Sequence, residues 1–245
     1  YLSLMSTLGT RTAELHRAFA LKTGDAAFDA EPVTPQDVKQ WRSRVREEAL
    51  ATLELLERRM SELTLPVRND AKALIARRDR LVAGIEGGGA AGGQLVKTRF
   101  HGDYHLGQVL LSKNDFLIID FEGEPARPLA ERRQKHSPLR DVAGMLRSFN
   151  YAHWTALRGA VQGGDDTDKL APLARAWEAE VRREFLAAYE AGAGDSIYTS
   201  FGEVRGLLEL FELDKALYEL RYEINNRPGW VEIPLRGIIA LVGLA

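Results

Sequence analysis

The chain has no cysteine. Disulfides and thiolate metal sites are therefore excluded, and the absence suits a cytoplasmic protein. It has no long apolar run either. The most hydrophobic stretch, "GIIALVGLA" at residues 237–245, is shorter than a bilayer requires and reads as a docked helix. Nor is one charge in surplus: 33 Lys and Arg face 35 Asp and Glu, a formal −2. That balance gives no general case for nucleic acid or an anionic membrane as partner. The opening "YLSLMSTLGT" lacks the basic start and cleavage pattern of a signal peptide. It does not begin with Met and opens in mid-pattern, which reads as the continuation of a longer chain. No internal repeat is present.

What the chain does have is the composition of a soluble globular domain, 45% hydrophobic and 28% charged over 245 residues. Leu4, Leu8, Leu15 and Phe19 recur at helical spacing and predict a helix over 3–22. "KTGDAAFDAEP" follows as a loop. Thr34, Pro35 and Asp37 form a helix start, and the stripe from Val38 to Leu63 carries that helix to about residue 64. Leu74, Ile75, Leu81, Val82 and Ile85 predict one further helix over about 67–86. "GGGAAGG" at 87–93 lacks the Gly-Lys-Ser/Thr end of a phosphate loop and follows a helix, so it reads as a flexible loop. "LVKTRF", "QVLLS" and "FLIID" are the strand candidates, the last two joined by a "KND" hairpin turn. Helices then return: one opening at Ser137-Pro138 and running to about Trp154, one over 169–191, others to about 226, and a terminal one opened by Pro234. The expected class is α+β, mostly helical, with a small strand insert.

The chemistry concentrates in "HGDYHLGQVL" (101–110) and "IIDFEGEP" (118–125). Asp103 lies in a loop, where a carboxylate accepts a proton from a hydroxyl nucleophile. Gln108 follows five residues on and Asp120 seventeen residues on, at the end of an apolar strand. A carboxylate ending a buried strand needs a partner or a metal. The hairpin folds Gln108 and Asp120 together, and such oxygens suit Mg²⁺, which takes few protein carboxylates and leaves room for phosphates and water. Taken singly, Asp103 or Asp120 reads first as ordinary turn chemistry. The ordered combination points to phosphoryl transfer, which needs a base to orient the hydroxyl and cations at the γ-phosphate.

The same segment resembles the catalytic and metal-binding segment of the aminoglycoside phosphotransferase-like kinases, and within them the bacterial maltokinases. "LGTRTAELHRAF", "SPLRDVAGMLRSFNYA" and "KALYELRYEINNRPGWVEIPLRGI" extend the likeness over nearly the whole chain. The resemblance implies ATP- and Mg²⁺-dependent phosphorylation of maltose to maltose 1-phosphate, feeding α-glucan synthesis, with a fused or associated trehalose synthase as partner. It implies Asp103 as catalytic base, Gln108 and Asp120 as metal ligands, and Asp141 as the helix aspartate holding the catalytic loop from behind. His101 either contacts the sugar or braces the loop. Glu122 touches metal or sugar or forms a surface ion pair, and the role of Glu124 is open. Lys215, Glu219, Tyr222 and Asn226 fall at intervals of four, three and four, hence on one helix face. By itself a solvated surface explains that face better than sugar binding does; the resemblance assigns it to the sugar. Arg140 is a weaker sugar candidate, and Trp154 and Trp230 read as core.

Kinases of this group also have an N-terminal β-lobe with a phosphate-covering loop and a lysine on the α/β-phosphates. No such sheet is legible before residue 98. The expectation is a kinase-like C-terminal lobe over 1–245: a helical segment 1–98, a catalytic and metal-binding segment 99–125 with the hairpin insert, and a helical sugar-binding segment 126–245. The same expectation leaves the N-terminal β-lobe out of residues 1–245. Such a lobe would turn over little alone and expose the face that packs on its missing half, inviting self-association. Two other readings stand: a kinase for another sugar such as glucosamine, and a non-catalytic assembly module.

Overall fold

Helix caps and buried spacing decide most of the architecture. In this computed structural model the structure describes residues 2–87, 94–163 and 166–243. The element order is α1 (Leu2–Phe19), β1 (Glu31–Pro32), α2 (Pro35–Arg58), α3 (Leu65–Ile75), α4 (Arg78–Gly87) and β2 (Val96–Lys97). Then come β3 (Val109–Ser112), β4 (Asp115–Ile118), α5 (Leu129–Arg132), α6 (Leu139–Gln162), α7 (Thr167–Ala193), α8 (Phe201–Asn226) and α9 (Glu232–Leu241). The described chain is mostly helical. It divides into two compact units: residues 1–33 with 92–204, and residues 34–91 with 205–245.

In the first unit α1 packs on α7 at close range. A Cβ at Gly9 would lie 2.3 Å from the Phe185 carbonyl oxygen, and one at Gly192 would lie 2.9 Å from the Ala13 Cβ. Glycine at both positions lets the two backbones approach. Helix α6 packs on α7 through Phe149 edge-on to Phe185 and through a polar group. Glu178 accepts from His153 Nδ1 at 2.6 Å and from the Asn150 amide at 3.0 and 3.1 Å. Burial works against the Glu178 carboxylate, but these hydrogen bonds and the Arg182 charge outweigh it and hold its pKa below the usual glutamate value.

Strands β3 and β4 form an antiparallel hairpin, Val109 opposite Ile118 and Ser112 opposite Asp115. The turn is two residues, Lys113 and Asn114, both at positive φ (50° and 62°). That is the geometry whose twist matches paired strands. Leu110, Leu111 and Leu117 of this hairpin are exposed. Asp115 anchors the tip to α1 by a two-pronged ion pair with Arg11, both contacts at 2.8 Å.

The second unit holds α2, α3, α4, α9 and most of α8. Helix α2 begins with the expected reciprocal cap: Asp37 N–H donates to Thr34 Oγ1 and Thr34 N–H donates to the Asp37 carboxylate. Trp41 packs edge-on to Phe211 at 5.4 Å.

Several expectations are corrected. The single helix over 67–86 is two helices, closed by an Arg77 N–H to Leu74 carbonyl bond and restarted with Asp79 in the first turn of α4. The loop before Val33 contains a short strand: β1 pairs antiparallel with β2, and "LVKTRF" shrinks to Val96–Lys97 flanked by bridges from Leu95 to Tyr198 and Thr98 to His136. Helix α6 continues past Trp154 to Gln162, and α9 opens at Glu232, with Pro234 inside its first turn. Trp154 and Trp230 are only half-buried. The "GGGAAGG" reading falls, after Gly87, outside the described residues. No helix of the described residues is long and apolar enough to cross a membrane.

Three stability predictions come from this packing. Gly9→Ala pushes a methyl into the α7 backbone and should cost about 1–3 kcal/mol in urea unfolding. Gly84→Ala, with nothing within 4 Å of its Cβ in α4, should be neutral or stabilising. For Glu178 the folded pKa is lowered, so its contribution is present at neutral pH and lost as pH falls below about 4.5. Glu178→Gln should be less stable than the parent at pH 7, the gap closing in a series of urea midpoints as pH falls through the lowered folded pKa.

Candidate active site

The loop 101–108 lies along one face of α6, and α6 is built to receive it. Asp141 is buried at 2% exposure. Its Oδ2 accepts the His101 backbone N–H at 2.7 Å and its Oδ1 the Gly102 N–H at 2.9 Å. One turn on, Gly144 lies so close that a Cβ there would meet the Tyr104 carbonyl oxygen at 2.5 Å. One further turn on, Ser148 Oγ accepts the Leu106 N–H at 2.9 Å. A carboxylate, a bare backbone and a hydroxyl at helical spacing thus fix the loop at three points.

His101 is buried, and both ring nitrogens face the protein. Nε2 lies 2.8 Å from the Ile119 carbonyl oxygen, so that nitrogen carries the proton. Nδ1 then accepts the Asp103 N–H at 3.3 Å. The imidazole ties the Asp103 loop to the residue before Asp120 and packs at 5.0 Å on Phe121. Asp103 itself keeps 16% of its side chain exposed, with His105 Nε2 at 3.7 Å from its Oδ2. His105 Nδ1 accepts the Gly107 N–H, which leaves Nε2 as the protonated nitrogen facing the carboxylate.

Gln108 and Asp120 meet just past the open end of the hairpin. The Ile119 N–H to Gln108 carbonyl bond extends the ladder one step beyond Val109 and Ile118. The Gln108 amide then donates to Asp120 Oδ2 at 2.9 Å. Asp120 has φ of 65°, the left-handed region in which a non-glycine residue costs about 1–3 kcal/mol. Gly102 and Gly123 sit at φ of 85° and 76°, and a Cβ on Gly102 would lie 3.2 Å from the Gly123 Cα. The two loops therefore touch backbone to backbone. Arg132 holds the second one by donating to the Glu122 carbonyl at 2.9 Å. The Glu122 side chain is exposed.

The expected buried strand before Asp120 is not buried. Strand β4 belongs to a two-stranded ribbon, and Asp120 is exposed. The desolvation argument applies instead to Asp141. Among the described residues no group of three or more His, Asp and Glu stands ready to hold a metal. The Gln108–Asp120 pair offers one carboxylate and one amide. That set fits Mg²⁺ completed by phosphate and water oxygens, and does not fit a metal held by protein alone.

The remaining candidates lie elsewhere. Lys215, Glu219, Tyr222 and Asn226 lie along α8 within the second unit. Glu219 is 9% exposed and Tyr222 is 45% exposed. Lys215 Nζ stands 5.1 Å over the Tyr218 ring, Arg227 lies over Tyr222, and the Asn226 amide donates to the Tyr222 carbonyl. Arg140 lies over the Phe100 ring at 6.0 Å. Sequence reasoning missed His105, legible as the second His of "HGDYH", and His16, legible only inside "TAELHRAF".

No family model matches the sequence. The chain is similar to the glucosamine kinase of Streptacidiphilus jiangxiensis, 30% identical over 227 residues that are 93% of this chain and 46% of that protein. It is similar also to the glucosamine kinase of Mycolicibacterium smegmatis, 31% identical over 97% of this chain and 53% of that protein. The chain spans about half the length of the curated relatives it matches. Among solved structures it resembles a glucosamine kinase in complex with glucosamine, ADP and inorganic phosphate, with TM-score 0.72, 27% identity, and coverage of 98% of this chain and 51% of that one. A second glucosamine kinase crystal structure matches at TM-score 0.72 and 29% identity, over 98% of this chain and 50% of that one.

These names overturn the maltokinase expectation. The matches covering nearly the whole chain are to glucosamine kinases, and they give no support for a trehalose synthase fusion. The physical reason is plain: base and metal ligands serve the phosphoryl group whichever sugar accepts it, so "HGDYHLGQ" and "DFEGEP" carry little information on the acceptor.

Asp141→Ala should orphan the His101 and Gly102 amides. At about 1–3 kcal/mol for each buried unmade bond, unfolding stability should fall by about 2 kcal/mol or more. Urea denaturation of the variant beside the parent measures it.

Proposed function

We infer that this chain is the phosphoryl-acceptor half of an ATP-dependent sugar kinase of glucosamine-kinase type, folded as a protein-kinase-like C-terminal lobe. The observation that carries the reading is the placement of Asp103. It sits on a loop bolted to α6 through Asp141, while His101 links that loop to the segment bearing Asp120 and its partner Gln108. Similarity at about 30% identity to glucosamine kinases supports the acceptor class.

In this reading Asp103 accepts the proton of a sugar hydroxyl as its oxygen attacks the γ-phosphorus of ATP. The new P–O bond forms, the bond to the bridging oxygen breaks, and ADP leaves. Gln108 and Asp120 would hold Mg²⁺, which neutralises charge on the phosphates. Asp141 and His101 position the loop. The α8 face of Lys215, Glu219, Tyr222 and Asn226 is assigned to the sugar, and the nucleotide clamp to the half of the relatives' length that lies outside the match.

The test assays transfer from ATP to glucosamine, glucose and N-acetylglucosamine, using both the complete product of the gene and residues 1–245 alone. The complete product should phosphorylate glucosamine best, and residues 1–245 alone should be nearly inactive. Asp103→Asn should lower kcat by about 10²–10⁴-fold with the KM for ATP little changed. A wild-type protein that transfers phosphate to no sugar in the panel would overturn the reading.

A further inference from the structure

Behind the candidate site runs a buried chain of hydrogen bonds that the reading above does not use. His16, on α1, is fully buried. Its Nε2 lies 3.2 Å from Asp141 Oδ2 and its Nδ1 lies 2.9 Å from the Tyr189 hydroxyl on α7. The proton inventory is fixed by the partners. Asp141 is an acceptor toward two backbone amides, so His16 Nε2 carries a hydrogen and donates to it. Nδ1 is then the acceptor, and Tyr189 O–H donates. Burial holds that phenol protonated, its pKa well above the usual tyrosine value, with the Tyr198 and Asp141 charges acting the same way. The direction runs from Tyr189 to His16 to Asp141, where the carboxylate also receives the amides of His101 and Gly102.

Three helices thereby converge on one buried carboxylate, whose two oxygens hold the loop that carries Asp103. Without His16, Oδ2 would keep only the His101 amide, and the carboxylate would be freer to rotate and carry Oδ1 off the Gly102 amide. We propose that His16, oriented by Tyr189, is a positioning residue of the phosphotransfer site, setting the Asp141 carboxylate and through it the loop bearing Asp103. The proposal rests on the reading of Asp103 as catalytic base, but the placement it asserts is testable without turnover.

Three variants separate the roles. His16→Leu removes both bonds. His16→Gln keeps an N–H at the distance of Nε2. Tyr189→Phe keeps the ring packing and removes only the donor to His16, so it provides a folded variant if His16→Leu does not fold. Amide hydrogen exchange of the His101 and Gly102 N–H groups is followed by NMR on the 245-residue chain, with α2 amides as an internal reference. The expected result is exchange at least tenfold faster at His101 and Gly102 in His16→Leu, a smaller gain in Tyr189→Phe, and partial recovery in His16→Gln, with α2 amides unchanged. In the complete kinase the same order should appear in kcat, with the KM for sugar within twofold. Unchanged exchange at both amides, in His16→Leu or, if that is unfolded, in Tyr189→Phe, overturns the proposal. So does an equal acceleration of all amides. If the exchange order holds while the wild type phosphorylates no sugar, the positioning role stands and the kinase reading fails.

Discussion

A carboxylate removed from water must be surrounded by donors, and Asp141 is where this chain meets that demand. Its 2% exposure would be costly for a charge left alone. Two backbone amides and one imidazole answer it, from the 101–102 loop and from α1. The same bonds that stabilise the charge dictate where the loop goes. Remove the carboxylate and the amides become the unsatisfied groups; remove the amides and the carboxylate does. Each side is present because of the other, so the loop has one position.

From that anchor the rest of the site is built by short, stiff links. His101 spans from the anchored loop to the Ile119 carbonyl, and Asp120 follows in a left-handed conformation that only its surroundings sustain. Gly102 and Gly123 bring the two loops into backbone contact. Arg11 clamps the hairpin tip to α1 through Asp115, whose carboxyl the guanidinium holds below its ordinary pKa. Groups aimed at a transferring phosphoryl work by being in place before the charge develops. In the proposed kinase reading, the left-handed Asp120 and the small-residue contacts would supply such preorganisation.

How much of this was legible in the sequence divides along physical lines. The Thr34–Asp37 cap and the 113–114 turn are local, and local rules located both. The hairpin that brings Gln108 near Asp120 followed from the strand period and a short loop, but the period sets Ile119 opposite Gln108, and it is the left-handed Asp120 that makes the contact. The scaffold place of Asp141 came from resemblance, and its burial bears the charge argument that had been attached to Asp120. What could not be read was long-range. His16 and Asp141 lie 125 positions apart, and β1 is two residues whose only reason to be a strand is β2. The split between α3 and α4 left the buried spacing of one continuous helix intact. The maltokinase expectation failed because the motifs that prompted it are indifferent to which sugar accepts the phosphate.

The two-residue turn at Lys113–Asn114 has a consequence for how this site can change. The register sets Gln108 opposite Ile119, and Asp120 reaches Gln108 because its left-handed backbone breaks the alternation one residue past the ladder, so the two stay neighbours only while that register holds. Losing or gaining a single residue in one arm would turn its partner to the opposite face. Losing one from each arm would shorten the ribbon and leave the pair intact. The hairpin thus acts as a caliper: its length is adjustable, but only in matched steps, and drift by one residue is barred by the geometry of the pleat.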